Sequence, residues 1–253
     1  MINTHSENLT GFVLKTFAAK ESDLVVHVLS TKGVRATMYA RGARKETSRK
    51  AYAIDLLNLV SVKLDRTKSE LPYVNEIRLF SSQRPRLTTL HGLTTIQIVA
   101  ELMDKFCLEE EEQPFLFILL ENLVPYINEQ NNVLLIAALA LRLLQHAGGL
   151  PNLSHDVLNG ALILADSQRV LAPEIGYTVR DGGQIISDRI YKVQRFILDN
   201  GFIEVLKLNL QPTELMQLLH IHLNWVETFI ESPLRTRDIF TKSVTSNRLQ
   251  VTS

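Results

Sequence analysis

Residues 11–39 read GFVLKTFAAKESDLVVHVLSTKGVRATMY, and this stretch decides the fold of the N-terminal part of the chain. Apolar and polar side chains alternate in Gly11–Phe17, Asp23–Leu29 and Val34–Tyr39, where β-branched and aromatic residues are frequent. A period of two is typical of β-strands. Because Ser30–Gly33 is a turn signal, the stretch predicts three consecutive strands.

Two further strands are predicted over Leu56–Leu64 and Tyr73–Leu79, with Pro72 at the edge of the second. Five short strands in about 80 residues predict a small closed or partly open barrel, such as an OB-fold, over residues 1–82. A five-stranded meander or a sandwich fits the same periodicity, so these alternatives stay open at this point.

The pattern changes near residue 85, where a polar linker leads into segments of helical period. Five helical segments are predicted, and the first has a clear apolar face. They are Leu93–Phe106, Phe115–Ile127, Val133–His146, Asp188–Asn200 and a last helix that begins at Pro212. Residues 150–187 lack clear periodicity, and the polar tail after Phe240 is expected to fray. The chain is therefore predicted to be an α+β protein with a helical domain over residues 83–253.

The composition argues against membrane and secreted proteins. The N-terminus has no basic region followed by an apolar run, so it does not read as a signal peptide. The longest apolar stretch, Val133–Leu144, is too short to span a bilayer and contains Arg142. A single cysteine, Cys107, allows no intrachain disulfide and fits a reducing cytosol. We predict a cytoplasmic protein without a membrane partner.

The usual catalytic patterns are missing from the sequence. It contains no GxGxxG or GxxxxGK[ST] phosphate loop and no GxSxG elbow. Cys107 lies on the apolar side of a helical segment, which favours a buried structural thiol. His220 and His222 are two residues apart, so one helix points them about 200° from each other and not at one metal ion. We expect one of these histidines to be packed and the other exposed. We also predict that the chain is not an enzyme and has no cofactor and no metal site.

The net charge of +0 hides an asymmetry. Residues 1–90 contain 15 Lys and Arg against 8 Asp and Glu, whereas residues 91–253 contain 12 against 19. Six of the cations fall within 16 residues with Glu46 as the one acidic residue: Arg35, Arg41, Arg44, Lys45, Arg49 and Lys50. A neutral total charge therefore does not exclude an anionic partner of the N-terminal domain.

The segment Arg41–Lys50 lies between two predicted strands, and Gly42 and small residues keep it open. Such a loop can reach backbone phosphates without burying a charge, which is how proteins bind nucleic acid independently of sequence. A solubilising loop has the same composition. The flanking Tyr39 and Tyr52 can stack on bases. Alternatively, they are ordinary residues of the strand core or the surface.

Several stretches of the chain resemble the RecO family of bacterial DNA repair proteins. In chain order they are Gly11–Lys15, Glu21–Asp23, Thr31–Gly33, Ala40–Lys45 with Ser48-Arg49, Leu141–Leu144, Gly148, Pro151–Leu153 and Ser232–Arg237. The segment Ala40-Arg41-Gly42-Ala43-Arg44-Lys45 is the most specific of them.

The resemblance implies an N-terminal OB-fold and a helical domain with, in many members, a zinc-finger-like insertion. It also implies a mediator that binds single- and double-stranded DNA, anneals complementary strands and works with RecR to load RecA onto strands coated by single-strand-binding protein. The basic cluster around Arg41–Lys50 would then contact DNA, in a nucleoid-associated protein.

One departure from the family concerns the insertion, residues 150–190. Members with zinc carry two Cys-x-x-Cys pairs, whereas this chain has Asp156 and Asn159 at the first pair and Ile186 and Arg189 near the second. Ile and Arg cannot replace thiolate ligands, so a degenerate, zinc-free insertion is predicted. We expect apolar packing to fold it, through Leu158, Leu162, Ile163, Leu164 and Ile185.

Family members also dock the acidic, Phe-ending C-terminal tail of single-strand-binding protein in an apolar groove with a cation nearby. Arg142 is the cation that we assign to this role, although it has no residue-by-residue match to the family's site. A rival hypothesis is a helical protein-interaction scaffold whose β-domain is basic for another reason.

Overall fold

A computed structural model describes residues 6–45, 48–65, 71–83, 87–128, 132–164, 167–172, 176–180 and 183–251. The chain forms two compact units: Met1–Gln130 with Thr236–Ser253, and Asn131–Arg235. We call them the barrel unit and the helical unit. The domain boundary expected near residue 83 stays a prediction.

The barrel unit is built on five strands, which are β1 (Ser6–Ala18), β2 (Leu24–Ser30), β3 (Arg35–Ala40), β4 (Leu59–Asp65) and β5 (Tyr73–Ser81). They close in the order β1-β2-β3-β5-β4. Neighbours pair antiparallel except β3 and β5, which meet in parallel at Tyr39 and Tyr73. The predicted OB-fold is confirmed, and the meander and sandwich alternatives are excluded.

The alternation of the strands explains the barrel core. Inward-facing Val26, Val28, Val60, Val62 and Leu64 are buried together, whereas His27, Ser61 and Lys63, which lie between them along the strands, are more exposed. The two neighbours Val13 and Leu14 are both buried because the β1–β2 register shifts at this point.

The helices are, in chain order, α1 (Arg49–Ala53), α2 (Leu90–Phe106), α3 (Pro114–Leu123), α4 (Val133–His146), α5 (Asp188–Asp199), α6 (Phe202–Val205), α7 (Pro212–Phe229) and α8 (Arg237–Val251). A 3₁₀ turn, Val124–Tyr126, ends the second predicted helix at Pro125, as expected. The interpretation of Arg41–Lys50 as a continuous loop is wrong at its end. There α1 begins after the N-cap Ser48, and Ala53 and Ile54 reach the barrel core.

The polar tail after Phe240, which we expected to fray, is helical through Val251. Helix α8 packs in the barrel unit, where the ring of Phe240 stacks on His91 at 5.5 Å and Ser243 bonds to Thr94. Three buried side chains, Phe240, Ser243 and Val244, make the inner face of its first turns. This face is too short and too polar to give a helical period in the sequence.

The helical unit is organised around α4, which is almost entirely buried, as its composition predicted. A buried hydrogen-bonded chain crosses the unit. The Tyr177 hydroxyl donates to Gln194 (2.6 Å), the Gln194 amide to His222 Nε2 (2.9 Å) and His222 Nδ1 to the Ala137 carbonyl (2.8 Å). His222 is buried and His220 exposed, which confirms the prediction for this pair.

The insertion contains a small sheet that sequence periodicity missed. Its strands are β6 (Arg169–Ala172), β7 (Gly176–Thr178) and β8 (Gln184–Ile186), in the order β7-β6-β8. The predicted apolar packing is wrong for Leu158, Leu162, Leu164 and Ile185, which are 49–61% exposed, and right only for Ile163.

A buried carboxylate holds the insertion together instead. Asp156, which is 1% exposed, accepts hydrogen bonds from Leu158 N (2.8 Å), Thr178 Oγ1 (2.8 Å) and Val179 N (3.0 Å). It thereby joins the end of β7 to the loop before β6, so the exposed leucines are not needed to close the fold.

Candidate nucleic-acid interface

The basic surface is built on a tight turn, Arg41–Lys45, that follows β3. Gly42 has a φ of +63°, a left-handed conformation that favours glycine. Ala43 is buried in the barrel core, while Arg41, Arg44 and Lys45 are exposed. The turn is thus anchored at its centre and presents its cations to solvent.

The loop between β1 and β2 holds this turn in place. Asp23 accepts hydrogen bonds from the Gly42 backbone N–H (2.7 Å) and the Tyr39 hydroxyl (2.8 Å). The Arg44 backbone N–H donates to the Ser22 carbonyl (2.9 Å). The Gly42 N–H, followed by the Tyr39 hydroxyl, keeps the pKa of Asp23 below its usual range.

The side chains of the turn are also positioned. The Arg44 guanidinium donates through Nη1 to the carbonyls of Lys20 (3.3 Å) and Glu21 (3.2 Å). The Arg41 guanidinium lies 4.2 Å from the ring centre of Tyr73. Lys20 is exposed beside the turn. The sequence predicted Arg41, Arg44 and Lys45 as residues of this surface, and the structure adds Lys20 and Asp23.

Two other cations of the predicted cluster lie at the start of α1. Lys50 donates through Nζ to the Val74 carbonyl (2.7 Å), and burial lowers the pKa of this lysine. This contact joins α1 to β5 and gives Lys50 a structural role. Arg49 is the first residue of α1, and its side chain lies outside the described residues.

Arg35, at the start of β3, belongs to a different group of charges. Its guanidinium donates to the Asp104 carbonyl (3.1 Å) and to Glu109 (3.2 Å). The Asp104 carboxylate is also held by His27 (2.6 Å) and Lys15 (3.2 Å). Burial by itself raises the pKa of Asp104, but the hydrogen bonds and charges of His27 and Lys15 outweigh it and lower that pKa. Arg35 thus joins the barrel to the end of α2.

The two tyrosines near the turn differ. Tyr52 on α1 is 68% exposed, so its ring is accessible for stacking. Tyr39 is half-buried, with its hydroxyl on Asp23 and its ring edge-on to Tyr73 at 5.4 Å. Tyr39 therefore supports the turn from below.

Arg142, to which we assigned partner binding, has contacts inside the helical unit. It donates to the carbonyls of Ile197 and Asn200 at the end of α5, and its guanidinium lies 4.1 Å from the Phe202 ring centre. Burial lowers the pKa of this arginine. These contacts cap α5.

The positions that would hold zinc do not fit the metal. Asn159 accepts from the Ala161 N–H, Ile186 is buried, and Arg189 pairs with Glu214 (3.3 Å). Among the described residues, no three His, Cys, Asp or Glu side chains converge in a way that could hold a metal ion. Burial raises the pKa of the Cys107 thiol to about 12, which confirms a buried structural cysteine.

In the described part of the chain, no helix combines the length and the apolar character needed to cross a bilayer.

Comparison with known proteins gives matches over almost the whole chain. Residues 2–83 match the family model "Recombination protein O N terminal", and residues 87–238 match "Recombination protein O C terminal". A DNA repair protein RecO from Desulforamulus reducens is 25% identical over 252 residues, which cover 94% of this chain and 95% of the relative. One from Macrococcus caseolyticus is 26% identical over 62% of each chain. Since both family models match in chain order, the chain belongs to the recombination protein O (RecO) family.

Proposed function

We propose that this chain is a DNA repair mediator that binds DNA through the turn Arg41–Lys45 of its OB-fold and catalyses no bond-making step. The observation that carries the proposal is the exposed group of Arg41, Arg44 and Lys45, on a turn that is held by hydrogen bonds, with Lys20 exposed beside it. A relative that matches over 94% of this chain is named a DNA repair protein.

The mechanism is electrostatic. Cations at fixed spacing neutralise phosphates of a DNA strand, release counterions and leave the bases free to pair. Tyr52 is exposed on the helix that follows the turn and can stack on an unpaired base. A protein that lowers the charge of two strands without covering their bases favours annealing of complementary strands.

The proposal assigns structural roles to Arg35 and Lys50, because each is partly buried and donates to a partner within the barrel unit, whereas Arg44 is exposed. Arg49 stays a predicted DNA contact at the start of α1. The proposal also gives Arg142 a structural role at the end of α5, while its part in docking the tail of single-strand-binding protein stays a prediction. Cooperation with RecR and RecA loading, and a place on the nucleoid, follow as proposals from the family resemblance.

Charge reversal in the turn tests the DNA site. If four cations contact single-stranded phosphates, the log–log salt slope of binding is about −3. The variant R44E/K45E should weaken oligonucleotide binding more than tenfold at low salt and reduce the slope by about 1. The control R78E/K207E makes the same change in charge at two exposed cations outside the turn. Equal binding by both variants would overturn the proposed site.

A strand-annealing assay with and without single-strand-binding protein tests the activity and the partner together. We expect faster annealing of complementary oligonucleotides with the wild type and none of this gain with R44E/K45E. Failure of the wild type to bind oligonucleotides at low salt, with retained binding to a protein partner, would favour the scaffold hypothesis.

A further inference from the structure

The proposed DNA-binding surface contains a carboxylate at its centre. Asp23 lies beside Lys20, and its Oδ1 is 2.7 Å from the backbone nitrogen of Gly42, within the basic turn. A negative charge at this place repels phosphate and weakens anion binding. Its presence in a DNA-binding surface therefore needs a compensating role.

The contacts of Asp23 supply that role. Oδ1 accepts from the Gly42 N–H and from the Ser22 hydroxyl (3.1 Å), and Oδ2 accepts from the Tyr39 hydroxyl (2.8 Å). Gly42 is the residue of the turn with a left-handed backbone conformation. One carboxylate thus fixes the backbone between Arg41 and Arg44.

The same carboxylate acts on the support of Arg41. The Tyr39 ring, held by its hydroxyl on Asp23, packs edge-on against Tyr73, and Arg41 lies over Tyr73. Losing the carboxylate removes the contact that holds the Gly42 backbone and the contact that holds the Tyr39 ring beneath the turn. Binding would then require ordering of this segment, which lowers affinity.

We propose that Asp23 is a positioning residue of the DNA-binding surface, which holds the turn Arg41–Lys45 in its binding geometry although its own charge opposes DNA. This inference rests on the proposed function. It predicts that the hydrogen bonds of Asp23 raise the affinity for DNA whereas its negative charge lowers it. Substitutions that remove one and keep the other can separate the two effects.

The test compares D23A with D23N in oligonucleotide binding. Alanine removes the charge and both acceptors, and we expect binding about tenfold weaker than that of the wild type. Asparagine removes the charge but keeps an acceptor for the Gly42 N–H, and its amide can donate to the Tyr39 hydroxyl oxygen. We expect D23N to bind as tightly as the wild type or more tightly.

The sign of the D23A effect separates positioning from charge. The control D55A also removes one carboxylate from the barrel unit, and a pure charge effect predicts equal or tighter binding for both alanine variants. The smaller change Y39F removes one hydrogen bond to Asp23 and should weaken binding less than D23A does. Thermal unfolding should show that the Y39F protein is folded.

The outcomes distinguish this inference from the proposed function. If R44E/K45E loses binding while D23A binds like the wild type or better, the site stands and the positioning role of Asp23 is wrong. Equal loss in D23A and D23N also overturns it, because Asn keeps the hydrogen bonds. If R44E/K45E binds normally, the DNA surface is misplaced, and the role of Asp23 fails with it.

Discussion

The basic turn of the barrel unit and the insertion of the helical unit are each organised by one aspartate. Asp23 accepts the Gly42 N–H from a different segment, and Asp156 accepts the Val179 N–H in the same way. The surroundings differ, because Asp23 is half-buried beside exposed cations, whereas Asp156 is buried. The same contact thus presents a charged surface in one region and closes a small fold in the other.

The second acceptor contact marks a further difference. At Asp23, Oδ2 accepts from a tyrosine hydroxyl, which can also accept a hydrogen bond. At Asp156, Oδ1 faces the Leu158 N–H and Oδ2 faces the Val179 N–H, and a backbone N–H can only donate. A carboxamide can therefore replace Asp23 but not Asp156.

The largest expected effect is that of D156N. In either orientation of the amide, its NH₂ group meets a backbone N–H, that of Leu158 or that of Val179, so one hydrogen bond becomes a repulsive contact. We expect the midpoint of thermal unfolding to fall by roughly 10 °C, and D156A to behave similarly. Circular dichroism measures this midpoint.

The matched variants for this prediction are D23N and D199N. Asp199 is exposed at the end of α5, where loss of a negative charge is mildly favourable. Both control variants should unfold within about 2 °C of the wild type. A D156N protein as stable as D199N would break the comparison between the two aspartates.

The next largest effect is a pH dependence of stability that is expected in the helical unit and comes from His222. Burial lowers the pKa of His222 to about 4, while an unfolded histidine titrates near 6.5. Unfolding therefore takes up a proton between these values. The free energy of unfolding is therefore about 3 kcal/mol higher above pH 6.5, where the histidine is neutral in both states, and this difference is lost as the pH falls toward 4.

We expect urea unfolding of the helical unit to show this loss between pH 6.5 and 4, while Asp23 and Asp156, whose pKa values are lowered, keep their charges. The variant H222Q should be less stable at pH 7 and lose most of this pH dependence, whereas H220Q should keep it. The same pH dependence in H222Q as in the wild type would contradict the assignment.

Sequence periodicity predicted the elements whose cores are regular. Strand β4 alternates strictly in burial, and the buried helix α4 is apolar on nearly all sides, so both were predictable without a structure. The short helix α1, the three- and four-residue strands of the insertion and α8 were missed. Each buries too few apolar side chains to create a period.

The candidate site was predictable in part. The exposed cations of the turn stand out as a charge cluster, but Arg35, Lys50 and Arg142 look the same in a sequence although they are partly buried against partners in their own units. Asp23 lies in the stretch Glu21–Asp23 that resembles the family, but its role was not predicted, because a carboxylate is an unfavourable charge in a basic site unless its backbone donor is known. Long-range contacts, here between residues 23 and 42, decide these roles.

The smallest expected effect is that of metal removal, and it tests what replaces zinc in the insertion. Because Asp156 closes the insertion through hydrogen bonds, treatment with a chelator should leave the unfolding midpoint within about 1 °C of the untreated protein. Added zinc should not raise it. Ile186 is buried and Arg189 pairs with Glu214, so neither position offers a ligand. Metal analysis that finds one tightly held zinc per chain, together with a chelator-induced fall in the midpoint, would show that Asp156 supplements a metal site and does not replace it.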